Sequence, residues 1–145
     1  MTLLNVENLT VQFDTDEGRI TAVDNVSFSL ESGQVMGLVG ESGSGKSVTA
    51  KALMQLNPRN AVYNGQSKIS LTLLDDAPID VLSLKTAKEL KVVRGGAVSM
   101  IFQEPMASFA PAITIGKQMV EQLVLHKNLT KEQAKKLSVD MLDRV

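Results

Sequence analysis

The stretch Gly40-Glu41-Ser42-Gly43-Ser44-Gly45-Lys46-Ser47 has the pattern G-x-x-x-x-G-K-S, and the chemistry it suits is that of a phosphate cradle. Glycines here permit positive φ and close backbone approach, so successive N–H groups can turn into one concavity. Lys46 then reaches the β- and γ-phosphates of a nucleotide, and the Ser47 hydroxyl is a ligand for Mg²⁺. Val48 continues into a helix whose N-terminus adds partial positive charge. A match of this pattern by chance in a chain of this length is expected about once in two hundred, and its setting narrows that further. Residues 34–39 are an apolar run of strand length and residues 48–56 read as helix, so the loop lies between the two elements a phosphate loop requires. A plain Gly-Ser turn is the bland alternative. It leaves Lys46 without a purpose, since a cation at the positive end of a helix is unfavourable unless an anion is bound there.

The elements that must hold this loop fit one domain, or part of one. The chain has 145 residues, 43% of them hydrophobic, enough for a real core. A net charge of -1 and 3% aromatic residues offer neither an electrostatic footprint for nucleic acid nor stacking platforms, so no nucleic-acid partner is expected. With no cysteine, disulfides, zinc–thiolate sites and cysteine nucleophiles are excluded. No leader pattern and no long apolar span is found, which predicts a cytosolic chain able to sit against a membrane that another subunit spans.

Along the chain, Leu9, Val11 and Phe13 alternate at period 2, as do Val26, Phe28 and Leu30, so residues 3–13 and 26–30 read as half-buried strands joined by the acidic turn Asp14-Thr15-Asp16-Glu17-Gly18. Glu31-Ser32-Gly33 is a second turn, leading into a buried strand at 34–39. The helix after the loop is expected to stop at Asn57-Pro58. Ile69, Leu71 and Leu73, a turn at Asp75-Asp76-Ala77-Pro78, and residues 79–82 form a hairpin pattern. Residues 84–93 look helical, Arg94-Gly95-Gly96 ends them, and 97–102 reads as a strand delivering Gln103-Glu104-Pro105 to its carboxyl end, where open α/β sheets place ligands. Ile115, Met119, Val120, Leu123 and Val124 recur at helical spacing, and Thr130-Lys131-Glu132-Gln133 forms a capping box before Ala134, Leu137, Met141, Leu142 and Val145. That apolar face runs to the last residue, so the helix reads as cut rather than finished.

Phe13, the loop at 40–47 and the segment Met100-Ile101-Phe102-Gln103-Glu104-Pro105-Met106-Ala107-Ser108 together resemble the ATP-binding subunits of ABC transporters, specifically the oligopeptide and dipeptide importer branch. Leu125-His126-Lys127-Asn128 and the segment 138–143 look like that branch too, so the resemblance covers nearly the whole chain. It implies an α/β P-loop NTPase core with an antiparallel β subdomain and the start of a helical subdomain: residues 1–110 would be the β-rich lead-in and core, and 111–145 the beginning of the helical part. It further implies ATP and Mg²⁺ as cofactors, with Phe13 stacked on adenine, Gly40, Glu41, Ser42, Gly43, Ser44, Gly45, Lys46, Ser47 and Val48 holding phosphates, and Ser47 and Gln103 touching Mg²⁺. Gln103 would also sense the attacking water. The implied partners are a second ATPase subunit (as homo- or heterodimer), integral membrane permease subunits and, indirectly, a substrate-binding protein. The implied location is the cytoplasmic face of the inner membrane. Ser108-Phe109-Ala110-Pro111 departs from the Ser-Leu-Asn-Pro usual in the branch.

Family members carry a signature motif, an acidic strand with its catalytic Glu and a switch His, and these 145 residues contain none of them; His126 lies on a helical segment and is not that switch. Three readings follow. The chain is the N-terminal part of an importer's ATP-binding subunit, or a truncated and catalytically inactive nucleotide-binding remnant, or another P-loop enzyme. The last is disfavoured by the Gln103 segment and the helical arm. Without the carboxylates, the chain by itself is expected to show no meaningful ATPase turnover, and strands lost from the middle of a parallel sheet would leave apolar faces open.

Overall fold

A computed structural model describes residues 2–73, 77–104, 106 and 109–145. Asp75 and Asp76 of the expected hairpin turn, and Pro105, Ala107 and Ser108 of the segment after Gln103, lie outside the described residues. The chain divides into two units, one running to Val98 and the other from Ser99 to Val145.

The first unit is built on a long hairpin. β1 (Thr2–Thr15) pairs antiparallel with β2 (Gly18–Glu31), and the acidic turn closes between Thr15 and Gly18. Both strands extend past their expected ends because each supplies the other's backbone partners. On its other edge β1 pairs with β3 (Ala61–Tyr63) through Val11–Phe13 and with β4 (Lys68–Leu71) through Leu4–Glu7. β5 (Ile79–Asp80) completes the five-stranded sheet as the antiparallel partner of β4, as the hairpin pattern predicts. Two asparagines kink the long hairpin, Asn8 and Asn25, both at φ 49°, a conformation Asn tolerates better than most residues. Side chains take over the interrupted ladder: Ser27 Oγ accepts the Asn8 N–H at 2.8 Å and Thr10 Oγ1 the Asn25 N–H at 3.0 Å.

The core lies on one face of this sheet. Leu9, Ile69, Val6, Val11, Val81 and Val93 are fully buried, each worth on the order of 2 kcal/mol for the apolar surface removed from water. A 3₁₀ turn (Val81–Ser83) and α2 (Ala87–Val93) supply the last two of these residues. At the start of α2, Thr86 and Glu89 form a reciprocal capping box. The Glu89 carboxyl is held below its ordinary pKa chiefly by the backbone N–H of Thr86 and then of Lys85. That support is complete above the ordinary carboxylate range and is lost as pH falls through the depressed value.

Two expected strands do not form. Residues 34–39 follow the turn at Gly33 (φ 76°) but pair with nothing regular, and Val35 and Val39 are 95% and 93% exposed. Residues 97–102 make only a single bridge, Val98 to Arg94, and Ile101 is 96% exposed. Both runs are mostly apolar, Gln34 and Ser99 apart, as for strands of a parallel sheet, and such strands need parallel neighbours to accept their backbone groups. The described residues contain antiparallel pairs and supply no such neighbour.

In the second unit α3 (Ile115–Lys127) and α4 (Lys131–Leu142) form a helical hairpin turned by Asn128 at φ 52°. The capping box of Thr130 and Gln133 is present as expected. Thr130→Ala is expected to destabilise α4 by about 1 kcal/mol, seen as a lower thermal midpoint with reduced helical circular dichroism. The apolar faces read from the sequence are only partly covered: Ala134 and Ser138 are buried, whereas Ile115, Leu137, Met141 and Leu142 are exposed. No described helix is long and apolar enough to cross a membrane.

Candidate functional site: a phosphate loop

The loop at 40–47 rises from residues 34–39 and enters α1 (Lys46–Ala52) through Gly45, the residue before the helix. Gly43 and Gly45 have φ of 82° and 86°, while Ser44 between them does not lie at positive φ. This alternation turns successive amides to one side, the geometry of an anion-binding nest. One turn bond, Ser44 N–H to the Glu41 carbonyl at 3.2 Å, shapes the loop, and the first helical bond runs from Thr49 N–H to the Gly45 carbonyl at 2.8 Å. No side chain caps the helix. Among the described residues the N–H groups of Gly43, Gly45, Lys46, Ser47 and Val48 therefore have no acceptor in the protein.

Lys46 folds back over this concavity. Its Nζ donates to the carbonyls of Gly40 and Glu41 at 2.7 Å each and to Ser44 Oγ at 3.3 Å, so the positive charge is held on the loop that carries the unpaired amides. The Ser47 hydroxyl is exposed one residue further on.

The loop is fixed against β2. A Cβ on Gly45 would sit 2.4 Å from the Ala22 carbonyl oxygen and 3.2 Å from Val23 Cγ2. Val23 pairs with Val11 on β1, and Phe13 lies two residues beyond Val11, opposite Ile20. Phe13 is half-buried and packs against the core. The hairpin thus carries the aromatic expected to stack on a base and the strand that seats the loop.

Sequence reasoning missed how α1 is anchored at its far end. The helix stops earlier than residue 56: the Leu56 N–H bonds the Lys51 carbonyl at 2.8 Å and Gln55 N–H the Ala52 carbonyl at 3.0 Å, with Gln55 at φ 50°. This is a Schellman closure, so the stop comes from Gln55 and not from Pro58. Arg94 then takes the Met54 carbonyl at 2.8 Å through Nε and the Gln55 carbonyl at 2.6 Å through Nη2, a cation at the negative end of the helix. Gln55 Nε2 donates to the carbonyls of Val81 and Leu84. Neither feature had a signal in the sequence: Gln is not a usual residue for a left-handed helix end, and the Arg94 contacts cross about forty residues.

Gln103 belongs to the second unit, exposed and outside any helix or strand. The described residues contain no group of three or more His, Cys, Asp or Glu able to hold a metal ion.

A glycine loop of alternating φ, a lysine over free amides and a helix start define the P-loop class of nucleotide-binding proteins. Residues 23–144 match the family described as ABC transporter, and the chain belongs to that family. It is 45% identical over 143 residues to the oligopeptide transport ATP-binding protein OppD of Escherichia coli (strain K12), covering 99% of this chain and 40% of that protein. It is 41% identical to the OppD of Bacillus subtilis (strain 168), of which it covers 38%. It is 44% identical to the glutathione import ATP-binding protein GsiA of Shigella flexneri serotype 5b (strain 8401), of which it covers 23%. The chain thus spans two fifths or less of the length of these relatives.

Proposed function

We propose that the chain is the N-terminal part of the nucleotide-binding subunit of a peptide-type ABC importer, which binds ATP with Mg²⁺ and in a longer form couples its hydrolysis to transport. The observation that carries this reading is the loop itself, where the amides of Gly43 and of residues 45–48 have no acceptor among the described residues and the Lys46 ammonium bonds the carbonyls of Gly40 and Glu41. A triphosphate supplies the acceptors those donors lack.

In this reading residues 1–110 form the lead-in and core and 111–145 the start of the helical part. Gly40, Glu41, Ser42, Gly43, Ser44, Gly45, Lys46, Ser47 and Val48 hold the phosphates, and Phe13 stacks on adenine. Mg²⁺ fits as a passenger of the nucleotide. The exposed Ser47 hydroxyl offers one oxygen, and the absence of an acidic cluster among the described residues leaves phosphate oxygens as its main ligands. Gln103 is the further residue assigned to Mg²⁺ and the attacking water. Phosphoryl transfer to water depends on positioning and charge stabilisation. These residues cradle the phosphates and orient one metal ligand, and no carboxylate here is assigned to activate water. The partners in this reading are a second ATPase subunit, permease subunits and indirectly a substrate-binding protein, with the assembly on the cytoplasmic face of the inner membrane. The names of the relatives, oligopeptide and glutathione importers, support a peptide cargo.

Titration of the chain with a fluorescent ATP analogue and Mg²⁺ tests this. Saturable binding is expected; its absence would sink the reading. Phe13→Ala should weaken ATP by about tenfold, the worth of one base–aromatic stack, and leave inorganic tripolyphosphate unaffected. Equal losses for both ligands would argue against stacking. The alternative reading of the same loop is a catalytically inactive nucleotide-binding remnant. The coding sequence downstream separates the two: an open frame with Leu-Ser-Gly-Gly and an acidic strand marks a subunit, and a stop codon marks a remnant.

A further inference from the structure

One side-chain arrangement in the first unit joins the phosphate-loop helix to the strand beside Phe13. Asn57 Nδ2 donates to the Val48 carbonyl at 3.1 Å, inside the first turn of α1, and to the Tyr63 hydroxyl oxygen at 3.2 Å. Tyr63 ends β3, whose register on β1 sets Tyr63 opposite Val11 and Ala61 opposite Phe13. Tyr63, Ala61, Phe13 and Val48 all pack on the same core, so Tyr63 and Phe13 are diagonal neighbours on one face of the sheet. The Asn57 Oδ1 atom, meanwhile, is buried with no partner among the described residues.

We propose that Asn57 and Tyr63 are positioning residues for nucleotide binding, setting the distance between the phosphate loop and the Phe13 platform by tying the first turn of α1 to β3. The inference rests on the nucleotide-site reading above. A ligand that spans cradle and platform feels this spacing, because both ends must be met at once. A ligand that fills the cradle alone does not. The tie runs from the Tyr63 ring through one amide to a backbone carbonyl next to Ser47, and it needs no contact with the ligand.

The test uses the whole chain, with the fluorescent ATP analogue plus Mg²⁺ and, separately, inorganic tripolyphosphate as competitor. Tyr63→Phe removes one oxygen and keeps the packed ring; Asn57→Ala removes the other half of the tie. Tyr63→Phe, which removes one hydrogen bond, and Asn57→Ala, which removes two, are each expected to weaken the ATP analogue about fivefold through lost positioning, with tripolyphosphate affinity and far-ultraviolet circular dichroism unchanged. In the Asn57→Ala background Tyr63→Phe should have no further effect. Equal losses for the two ligands would make the tie merely structural and overturn the proposal, as would no loss for either. A further loss in the double variant would mean that Tyr63 meets the base directly, and overturns it too. Lys46→Ala, run alongside, reports on the underlying reading: if it leaves binding intact, the nucleotide-site assignment fails by itself, whatever the Tyr63 result.

Discussion

Lys46→Ala is expected to reduce affinity for the ATP analogue by at least about a hundredfold, taking it out of the measurable range. A charged hydrogen bond contributes roughly 1.5–3 kcal/mol, and a lysine over the β- and γ-phosphates makes two or more of them. The ammonium now bonds the Gly40 and Glu41 carbonyls and Ser44 Oγ, so the substitution also unties the loop from its own helix. These bonds sit at exposed positions, and no core residue depends on them. Far-ultraviolet circular dichroism should therefore match that of the unsubstituted chain. Isothermal titration of both proteins decides the point: retained affinity in the variant removes the phosphate-loop role altogether.

Gly45→Ala is expected to be as damaging by a different route. Its φ of 86° costs an alanine about 1–2 kcal/mol, and the added Cβ would lie 2.4 Å from the backbone oxygen of Ala22. Backbone cannot step aside as a side chain tip can, so either β2 or the loop must move, and the seat of the first turn of α1 moves with it. Nucleotide affinity should fall about a hundredfold or more, with a lower thermal midpoint. Gly43→Ala is the control. It has a similar φ of 82° but nothing within 4 Å of its Cβ, so it meets only the conformational cost and should lose about tenfold. If the two variants behaved alike, the close packing of the loop on β2 would not matter to binding.

How much of this was legible in the sequence differs from element to element. The hairpin of β1 and β2, the β4–β5 pair and the Thr130 capping box were readable because their partners are close in sequence and their signals are local: alternation, an acidic turn with glycine, a Thr three residues before Gln. The glycine pattern of the loop at 40–47 was readable for the same reason. Residues 34–39 and 97–102 were misread as formed strands. Their apolar character was read correctly, but pairing belongs to the neighbours of a strand and not to the strand itself. The helix after the loop was ended at Pro58 on a sound rule, while Gln55 in left-handed geometry ended it sooner.

The sequence by itself determined the candidates: which eight residues carry the loop pattern, which lysine and hydroxyl that pattern offers to a phosphate, and which family the chain resembles. Only the tertiary structure decided what holds that loop in place. Ala22 against Gly45, Arg94 on the carbonyls of Met54 and Gln55, and Asn57 between Val48 and Tyr63 join residues far apart along the chain or of unremarkable type. Such contacts come into being only when strands and helix have packed, because no short-range pattern encodes a bond whose two ends are brought together by the fold.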